Sequence, residues 1–196
     1  MLVLDVEASG TEYDLHSIVA IGALDFNFPE RRFYQACRVW QGAKVMSEAI
    51  KVCGVSEDQL YDKKLPTEGE TVRMLLEWSE HLVNRTIAGQ NPSFDRDFLR
   101  AASGREGIVF PLASRTIDTH SLCWMHMIKR GIQPPLDDQN KRSALDLDGI
   151  LRYCGIDDEP KPHNAMTGAL CHAEVLSRLL YNKPLLPEFA DNALPW

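Results

Sequence analysis

The chain has 196 residues, of which 44% are hydrophobic and 25% are charged, and its formal net charge is -7. This length predicts a single domain with a core of its own, and the composition is that of a globular protein. An acidic chain argues against a protein that coats DNA by neutralising phosphates alone. It is compatible with a nuclease whose carboxylates hold metal ions, because the ions then supply the positive charge.

Features that bear on the cellular compartment favour the cytoplasm. No apolar stretch reaches the ~18 residues that a membrane span needs, and no basic segment precedes an apolar run at the N-terminus. We therefore expect neither a membrane partner nor a signal peptide. The cysteines are odd in number and lack zinc-type spacing, which predicts buried thiols that act as small apolar side chains in a reducing, intracellular compartment. They are Cys37, Cys53, Cys123, Cys154 and Cys171.

The first forty residues predict three β-strands. Segments 1–6, 16–26 and 32–40 are apolar or loosely alternating, and turn residues separate them. Such a succession of strands predicts a meander.

Helical periodicity takes over after residue 70 and is interrupted by short β-type segments. The predicted helices cover residues 70–83, 94–102, 119–130 and 145–154, and a last helix follows Pro162. Strand-like segments at 86–89 and 115–118 lie between them, and this interleaving predicts an α/β layered sheet. Residues 132–142 contain two prolines and no period, which predicts a loop.

Two carboxylates lie at the end of the first predicted strand. Asp5 and Glu7 are two residues apart, so they project from the same face. Such a pair repels unless a cation lies between its members, and hard oxygen ligands suit Mg²⁺ or Mn²⁺. A solvated surface pair is the alternative interpretation, but the Ser-Gly turn that follows favours a functional one.

Two further polar residues begin predicted helices. Asp95 lies in the first turn of the helix after the 86–89 strand, where a carboxylate either pairs with the helix dipole or is aimed at metal ions. Asp97 should face elsewhere. His163 precedes the last helix and is either a surface histidine or a proton acceptor.

Taken together, these segments resemble the DnaQ-like 3′–5′ exonucleases of the DEDDh type. The shared motifs are DxE at 5–7, NxxFDxxFL at 91–99 and HxAxxxA at 163–169, in the family's order. The resemblance extends from residue 3 to residue 180. It implies a ribonuclease H-like fold, in which a five-stranded mixed sheet is flanked by helices. We therefore predict an exonuclease domain over 1–181. The prolines that follow it predict a tail over 182–196 that lies on the surface or docks a partner.

The resemblance implies a two-metal site. Asp5, Glu7 and Asp95 would hold two divalent ions, Mg²⁺ or Mn²⁺, and His163 would act as general base toward the attacking water. The pocket for the terminal nucleotide would be lined by Ala8, Ser9, Gly10 and Asn91. Two metals can activate water near neutral pH and neutralise a phosphodiester, which is the chemistry that hydrolysis requires.

One position departs from the family pattern. The last motif of the family carries an aspartate where this chain has Gly168, and glycine is also a poor helix former. The acidic run that includes Glu159 lies before His163, Glu174 lies six residues beyond position 168, and His172 is a poorer Mg²⁺ ligand. Three interpretations stay open: natural loss of catalysis, an engineered substitution, or a water or substrate oxygen that fills the gap.

Three functions follow from this site. The first is a 3′–5′ exonuclease that acts on single-stranded or frayed 3′ ends of DNA or RNA and is weakened by Gly168. The second is a catalytically inactive nucleic-acid-binding or adaptor protein. The third is a proofreading subunit bound to a polymerase or another protein partner; a homodimer is a further possibility. The fold alone does not decide among them.

Overall fold

The computed structural model describes all 196 residues as a mixed β-sheet with helices on both sides. The strands are β1 (Leu2–Ala8), β2 (Ile18–Asp25), β3 (Phe28–Ala36), β4 (Ile87–Gly89), β5 (Thr116–Asp118), β6 (Leu136–Asp137) and β7 (Arg142–Ser143). The helices are α1 (Ser47–Cys53), α2 (Glu57–Leu60), α3 (Glu68–Ser79), α4 (Pro92–Arg105), α5 (Thr119–Lys129), α6 (Leu147–Tyr153) and α7 (Ala165–Tyr181), and a 3-10 turn covers Pro187–Phe189.

The main sheet has five strands in the order β3-β2-β1-β4-β5. The meander β1-β2-β3 is antiparallel, whereas β4 and β5 run parallel to β1. A mixed five-stranded sheet was predicted from the family resemblance, and the structure contains it. The two halves meet at β1, so that residues at its end lie at the middle of the sheet.

Alternation along β1 sorts its side chains between two helical layers. Leu2, Leu4 and Val6 belong to the core cluster formed with α3 and α4, whereas Val3 packs with α7 residues on the other face. Successive strand residues point to opposite faces. The acidic residues of β1 therefore share the α7 face with Val3.

The first turn of α7 approaches the sheet unusually closely. A Cβ atom on Gly22 would collide with the backbone of Ala165, so only glycine admits the helix there. Gly22 is paired with Asp5 in the β1–β2 register. The start of α7 is thus pressed against the sheet beside the carboxylates of β1.

The last residues of the chain are fastened to α7 by a buried ion pair. Nε of Arg178 donates to Glu174 Oε1 at 2.7 Å, and both side chains are fully buried. Arg178 also donates to the carbonyl of Asn192 at 2.9 Å, and Glu174 accepts the N–H groups of Leu185 and Leu186, each at 2.9 Å. Segment 182–196 is therefore part of the folded body.

Two segments differ from the sequence prediction. The third strand was predicted at 32–40 but spans Phe28–Ala36, because Pro29 and the charged residues after it lie on an edge strand, which tolerates them. The predicted loop 132–142 contains the small antiparallel pair β6–β7. Asp137 closes its turn by accepting the N–H groups of Gln139 and Asn140. No helix is both long and apolar enough to cross a bilayer.

Candidate active site

The carboxylates of β1 face the start of α7. Asp5 lies directly over Gly168, where its Cγ would be 2.7 Å from a Cβ added to the glycine. Glu7 Oε2 accepts a hydrogen bond from the Cys53 thiol, with a sulfur–oxygen distance of 2.8 Å. The thiol of Cys53 thus orients Glu7, and neither carboxylate is paired with a cationic side chain.

Asp95 joins the start of α4 to the same strand. It is 3% exposed, and its Oδ1 accepts the N–H of Val6 at 2.8 Å. Burial raises the pKa of Asp95 to about 7, the Val6 hydrogen bond opposes that shift, and the charge of Glu7 adds to it. The carboxylate predicted in the first helical turn is therefore brought to the end of β1.

Electrostatics at Asp5 show how crowded the cluster is. Burial raises the pKa of Asp5 well above its ordinary value, and the neighbouring Asp95, Glu7 and Glu159 raise it further. Like charges that cannot all ionise together form a site that is short of positive charge. A bound cation would relieve this repulsion.

The segment before α7 supplies an imidazole and a fourth carboxylate. His163 is one-third exposed, and its backbone N–H donates to the carbonyl of Val52 at 2.9 Å. Its Nδ1 lies 3.7 Å from Oε2 of Glu159, which is 5% exposed. Burial raises the pKa of Glu159, the neighbouring His163 lowers it, and the charge of Glu7 raises it.

The residues predicted to contact a terminal nucleotide are divided between the interior and the surface. Ala8, Ser9 and Gly10 are buried, and the Ser9 hydroxyl donates to the carbonyl of Lys44 and accepts the N–H of Ser17, both at 2.9 Å. That hydroxyl is committed to the fold. Asn91 is exposed and has the left-handed φ of 47° just before α4.

An apolar cleft opens beside the acidic cluster. It has a volume of about 130 Å³, and its walls include Glu7, Tyr34, Cys53, Val55 and His163. The carboxylate of Glu7 and the imidazole of His163 therefore border a space with an apolar lining.

Neither His172 nor Glu174, the two α7 residues beyond position 168 that could replace the missing aspartate, is free to bind a metal ion. Gly168 carries no donor, and His172 is buried with Nδ1 3.2 Å from the carbonyl oxygen of Leu4. Burial lowers the pKa of His172 to about 4, so it is a neutral structural imidazole. Glu174 is occupied by Arg178.

Two residues at the site were not identified from the sequence. Glu159 was set aside because it precedes His163, but it folds back beside that histidine. Cys53 was interpreted as a buried apolar thiol, but it is partly exposed and bonded to Glu7. Glu159 had a signal, namely an acidic residue four positions before the motif histidine. Cys53 had none, because its contact is long-range.

The donor atoms suit a hard divalent cation, although the side chains do not yet surround one. The charges of Asp95, Glu7 and Glu159 all act on Asp5, and Oε1 of Glu159 is buried without a hydrogen-bond partner. Oxygen donors of this kind bind Mg²⁺ or Mn²⁺. No three His, Cys, Asp or Glu side chains are arranged around one point as an ion would require. Binding therefore needs rotamer changes, such as release of Glu7 from Cys53.

The fold is similar to those of solved nucleases. E. coli Exonuclease I in complex with a dT13 oligonucleotide matches with a TM-score of 0.69 and 16% identity, over 90% of this chain and 40% of that chain. The nuclease domain of 3'hExo, a DEDDh family member bound to rAMP, matches with a TM-score of 0.69 and 17% identity, over 94% and 93%. Cell-death related nuclease 4 (CRN-4) matches with a TM-score of 0.70 and 14% identity, over 93% and 64%.

These likenesses establish the fold. The chain has the ribonuclease H-like α/β fold of DEDDh exonucleases, as predicted from its motifs. It spans about 40% of the length of Exonuclease I. No protein-family model matches the chain, and no curated protein matches it in sequence.

Proposed function

We propose that this protein is a metal-dependent 3′–5′ exonuclease of the DnaQ-like, DEDDh type. The observation that carries the proposal is the convergence of Asp5, Glu7 and Asp95 at the end of β1, near His163 and without a protein cation. The shared fold of DEDDh exonucleases supports it. The three carboxylates would hold two divalent ions, Mg²⁺ or Mn²⁺.

The proposed reaction is hydrolysis of the last phosphodiester bond. When bound, the two ions would lower the pKa of water and neutralise the phosphate. His163 takes one proton from the attacking water, whose oxygen bonds to phosphorus. The bond between phosphorus and the 3′ oxygen of the preceding nucleotide breaks, and that oxygen takes a proton from solvent. The products are a nucleoside 5′-monophosphate and a strand with a new 3′ hydroxyl.

We also propose that a single-stranded or frayed 3′ end of DNA or RNA enters the cleft beside His163. The turn formed by Ala8, Ser9 and Gly10 would contact the terminal nucleotide through its backbone, and the exposed Asn91 would border it. A second pocket next to His163 is bounded by Lys51 and Lys161. These two lysines give an acidic protein local positive charge where phosphates would pass.

The test is digestion of single-stranded DNA and RNA oligonucleotides, labelled at either end, in Mg²⁺ and in Mn²⁺. We expect a 5′-labelled ladder that shortens stepwise and a 3′-labelled mononucleotide as the first product. Asp95→Asn should slow cleavage on the order of 10²–10³-fold, since it removes a charge on which the site depends. Asp97→Asn is the matched control, because Asp97 pairs with Arg96. Equal activity of Asp95→Asn and the parent would reject the proposal.

A catalytically inactive nucleic-acid-binding or adaptor protein is the second candidate, and Gly168 favours it. Binding of a single strand without cleavage at any Mn²⁺ concentration would support this candidate. Rapid turnover by the unmodified chain would exclude it.

Three further expectations are part of this proposal. The first is that residues 1–181 form the exonuclease domain and that 182–196 are its tail. The second is a cytoplasmic location, supported by five free cysteines. The third is association with a polymerase or another protein, or with a second copy of the chain. A pull-down would test association with a polymerase or another protein. Analytical ultracentrifugation would test whether two copies of the chain associate.

A further inference from the structure

We propose that a basic groove beside β3 binds the single strand of nucleic acid that leads into the cleft. This inference rests on the proposed function, since it assigns the path of the same substrate ahead of its 3′ end. The groove has a volume of about 630 Å³ and lies between the end of β3 and the first turns of α3. Its cationic residues are Arg38, Lys63, Lys64 and Arg73.

The charge of the basic groove is opposite to that of the whole chain. Four cationic side chains and one carboxylate, that of Glu70, line it, whereas the formal net charge of the protein is -7. None of the four cations forms an ion pair with a carboxylate, although six arginines elsewhere in the chain do. Glu70 already accepts the N–H of Thr67 at 2.7 Å as part of the cap of α3. Cations without a protein partner are available to neutralise phosphates.

Arg38 fixes the shape of the basic groove. Its guanidinium donates to the carbonyl of Leu65, and its backbone N–H donates to the carbonyl of Pro66 at 3.0 Å. These contacts hold segment 63–66 against the end of β3. Lys63 and Lys64 are exposed on this segment. Because the backbone that carries the two lysines is already held in place, binding of phosphates requires little further ordering of the chain.

An exposed aromatic ring lies next to the cations. An adjoining pocket of about 660 Å³ shares Arg38 and Lys63 with the basic groove, and Tyr61, which is 56% exposed, is part of its wall. Two carboxylates line the same pocket, but that of Glu68 is neutralised by an ion pair, which leaves Glu106 as the opposing charge. A positive groove with an aromatic ring is the combination that binds single strands of any sequence, because every base can stack on a ring.

The basic groove and the cleft meet at the edge of the sheet. Leu65 lines both of them. Tyr34 borders the cleft and the next residue, Gln35, borders the groove, since successive residues of a strand point to opposite faces. No further strand lies beyond β3, which is the edge of the sheet. A flexible single strand can therefore pass around β3 from the groove into the cleft, whereas a stiff duplex cannot follow so sharp a turn.

The experiment measures the affinity of the full chain for labelled oligothymidylates of about 4 and about 16 nucleotides, by fluorescence anisotropy in EDTA at several salt concentrations. Lys64→Gln/Arg73→Gln removes two charges from the basic groove. Since each phosphate contact to a single strand contributes a slope of about -0.7 to the salt dependence, we expect the slope to become shallower by about 1.4. The affinity for the longer strand should then fall about 25-fold at about 0.1 M salt. The shorter strand should be affected much less, because it is too short to extend from the cleft along the groove.

The matched control for charge is Arg85→Gln/Arg115→Gln. It changes the net charge equally, and both arginines are exposed just before β4 and β5, at the end of the sheet where β1 begins. This control should leave both affinities unchanged.

A second variant tests the aromatic ring without changing the charge. Tyr61→Ala should weaken binding of the longer strand about 10-fold and leave the salt slope as it is, because stacking releases no counterions. Tyr181→Ala is its control, since Tyr181 is also 56% exposed but lies at the end of α7. Circular dichroism checks that each variant is folded.

The outcomes separate this inference from the proposed function. Equal weakening by the groove variant and the arginine control would mean that only net charge acts, and the inference would be overturned. Unchanged affinity of the groove variant for the longer strand would overturn it as well, while stepwise digestion of end-labelled strands would still support the exonuclease proposal. If the parent binds neither oligonucleotide, the inference fails, and the digestion assay alone decides on the proposed function.

A titration with polyglutamate tests the other possible occupant, an acidic protein segment. We expect the parent to bind polyglutamate more weakly than the longer oligothymidylate, because a polypeptide offers no bases to stack on Tyr61. If Lys64→Gln/Arg73→Gln loses affinity for polyglutamate and not for the oligothymidylate, the basic groove binds protein, and the inference is overturned.

Discussion

Two groups of buried carboxylates in this molecule differ in whether a cationic side chain is paired with them. Glu68, at the start of α3, is 2% exposed and accepts the N–H of Ile18 at 2.8 Å, while Arg105 donates to both of its oxygens. Glu174 is likewise neutralised by Arg178. In both places the chain supplies the cation and the donors that a buried carboxylate needs.

The cluster at the end of β1 has no such compensation. Asp5, Asp95 and Glu159 are close enough for charge coupling, and no Lys or Arg is paired with any of them. The difference indicates that this chain neutralises carboxylates that hold the fold together. The carboxylates at the end of β1 have no Lys or Arg partner, as the proposed binding of metal ions requires. The predictions that follow test this contrast, beginning with the largest expected effect.

Removing the cation of a neutralised pair should be costly. Arg178→Ala leaves Glu174 buried without its partner and detaches the tail carbonyls, so we expect a loss of about 3–5 kcal/mol in the free energy of unfolding. Urea denaturation measures it. Arg152→Ala, which breaks the exposed pair with Asp158, should cost about 0–1 kcal/mol. Similar losses in the two variants would contradict the contrast.

Adding a charge to the uncompensated cluster should destabilise it only when no metal is bound. Gly168→Asp places a side chain against Asp5, and overpacking of this kind costs about 1–3 kcal/mol. Gly168→Asn has the same size without the charge and serves as control. In EDTA we expect the aspartate variant to melt at a lower temperature than the asparagine variant. In Mn²⁺ the order should reverse, and an unchanged order would argue against a cation at this place.

The metal-free protein should lose stability as the pH rises. The folded-state pKa of Asp95 is raised from 3.8 to about 7, so between these values the folded state holds a proton that the unfolded state has released. The free energy of unfolding should therefore fall across this interval, by about 1.4 kcal/mol for each unit of pKa elevation. Denaturation in EDTA at several pH values measures the slope.

The control for this pH dependence is Asp95→Asn, which keeps an oxygen for the Val6 N–H and removes the titration. Its slope should be smaller than that of the parent, although Asp5 still contributes in the same direction. If the stability of the parent falls with pH no more steeply than that of Asp95→Asn, the titration of Asp95 does not affect folding and the prediction is wrong.

The fold was predictable because its signals are local. The alternation in β1 and the period of α7 are visible in the sequence. The motifs at Asp5, Asp95 and His163 indicated that β1, α4 and the start of α7 lie close together. The predicted bounds of the edge strand β3 were wrong because an exposed strand tolerates Pro29 and charged residues, which hide its alternating pattern.

The candidate site was predictable only in part. The position of Glu159 depends on how the segment before α7 folds back, and the thiol of Cys53 meets Glu7 across 46 residues. Spacing along the chain contains no information on such contacts. The sequence indicates only that Gly168 lacks the carboxylate of the family. It does not indicate that Asp5 occupies the space that a side chain at position 168 would need.

The fastening of α7 at both ends has a consequence for how a strand would be admitted. Its first turn rests on Gly22, and its last turns are tied to the tail through Arg178. A helix fixed in this way cannot act as a hinge. We expect the opening movement to fall to α1 and to the segment before His163, which border the cleft from the other side. The fixed helix α7 would then be the surface on which a bound strand rests, and its position should not change when the strand binds.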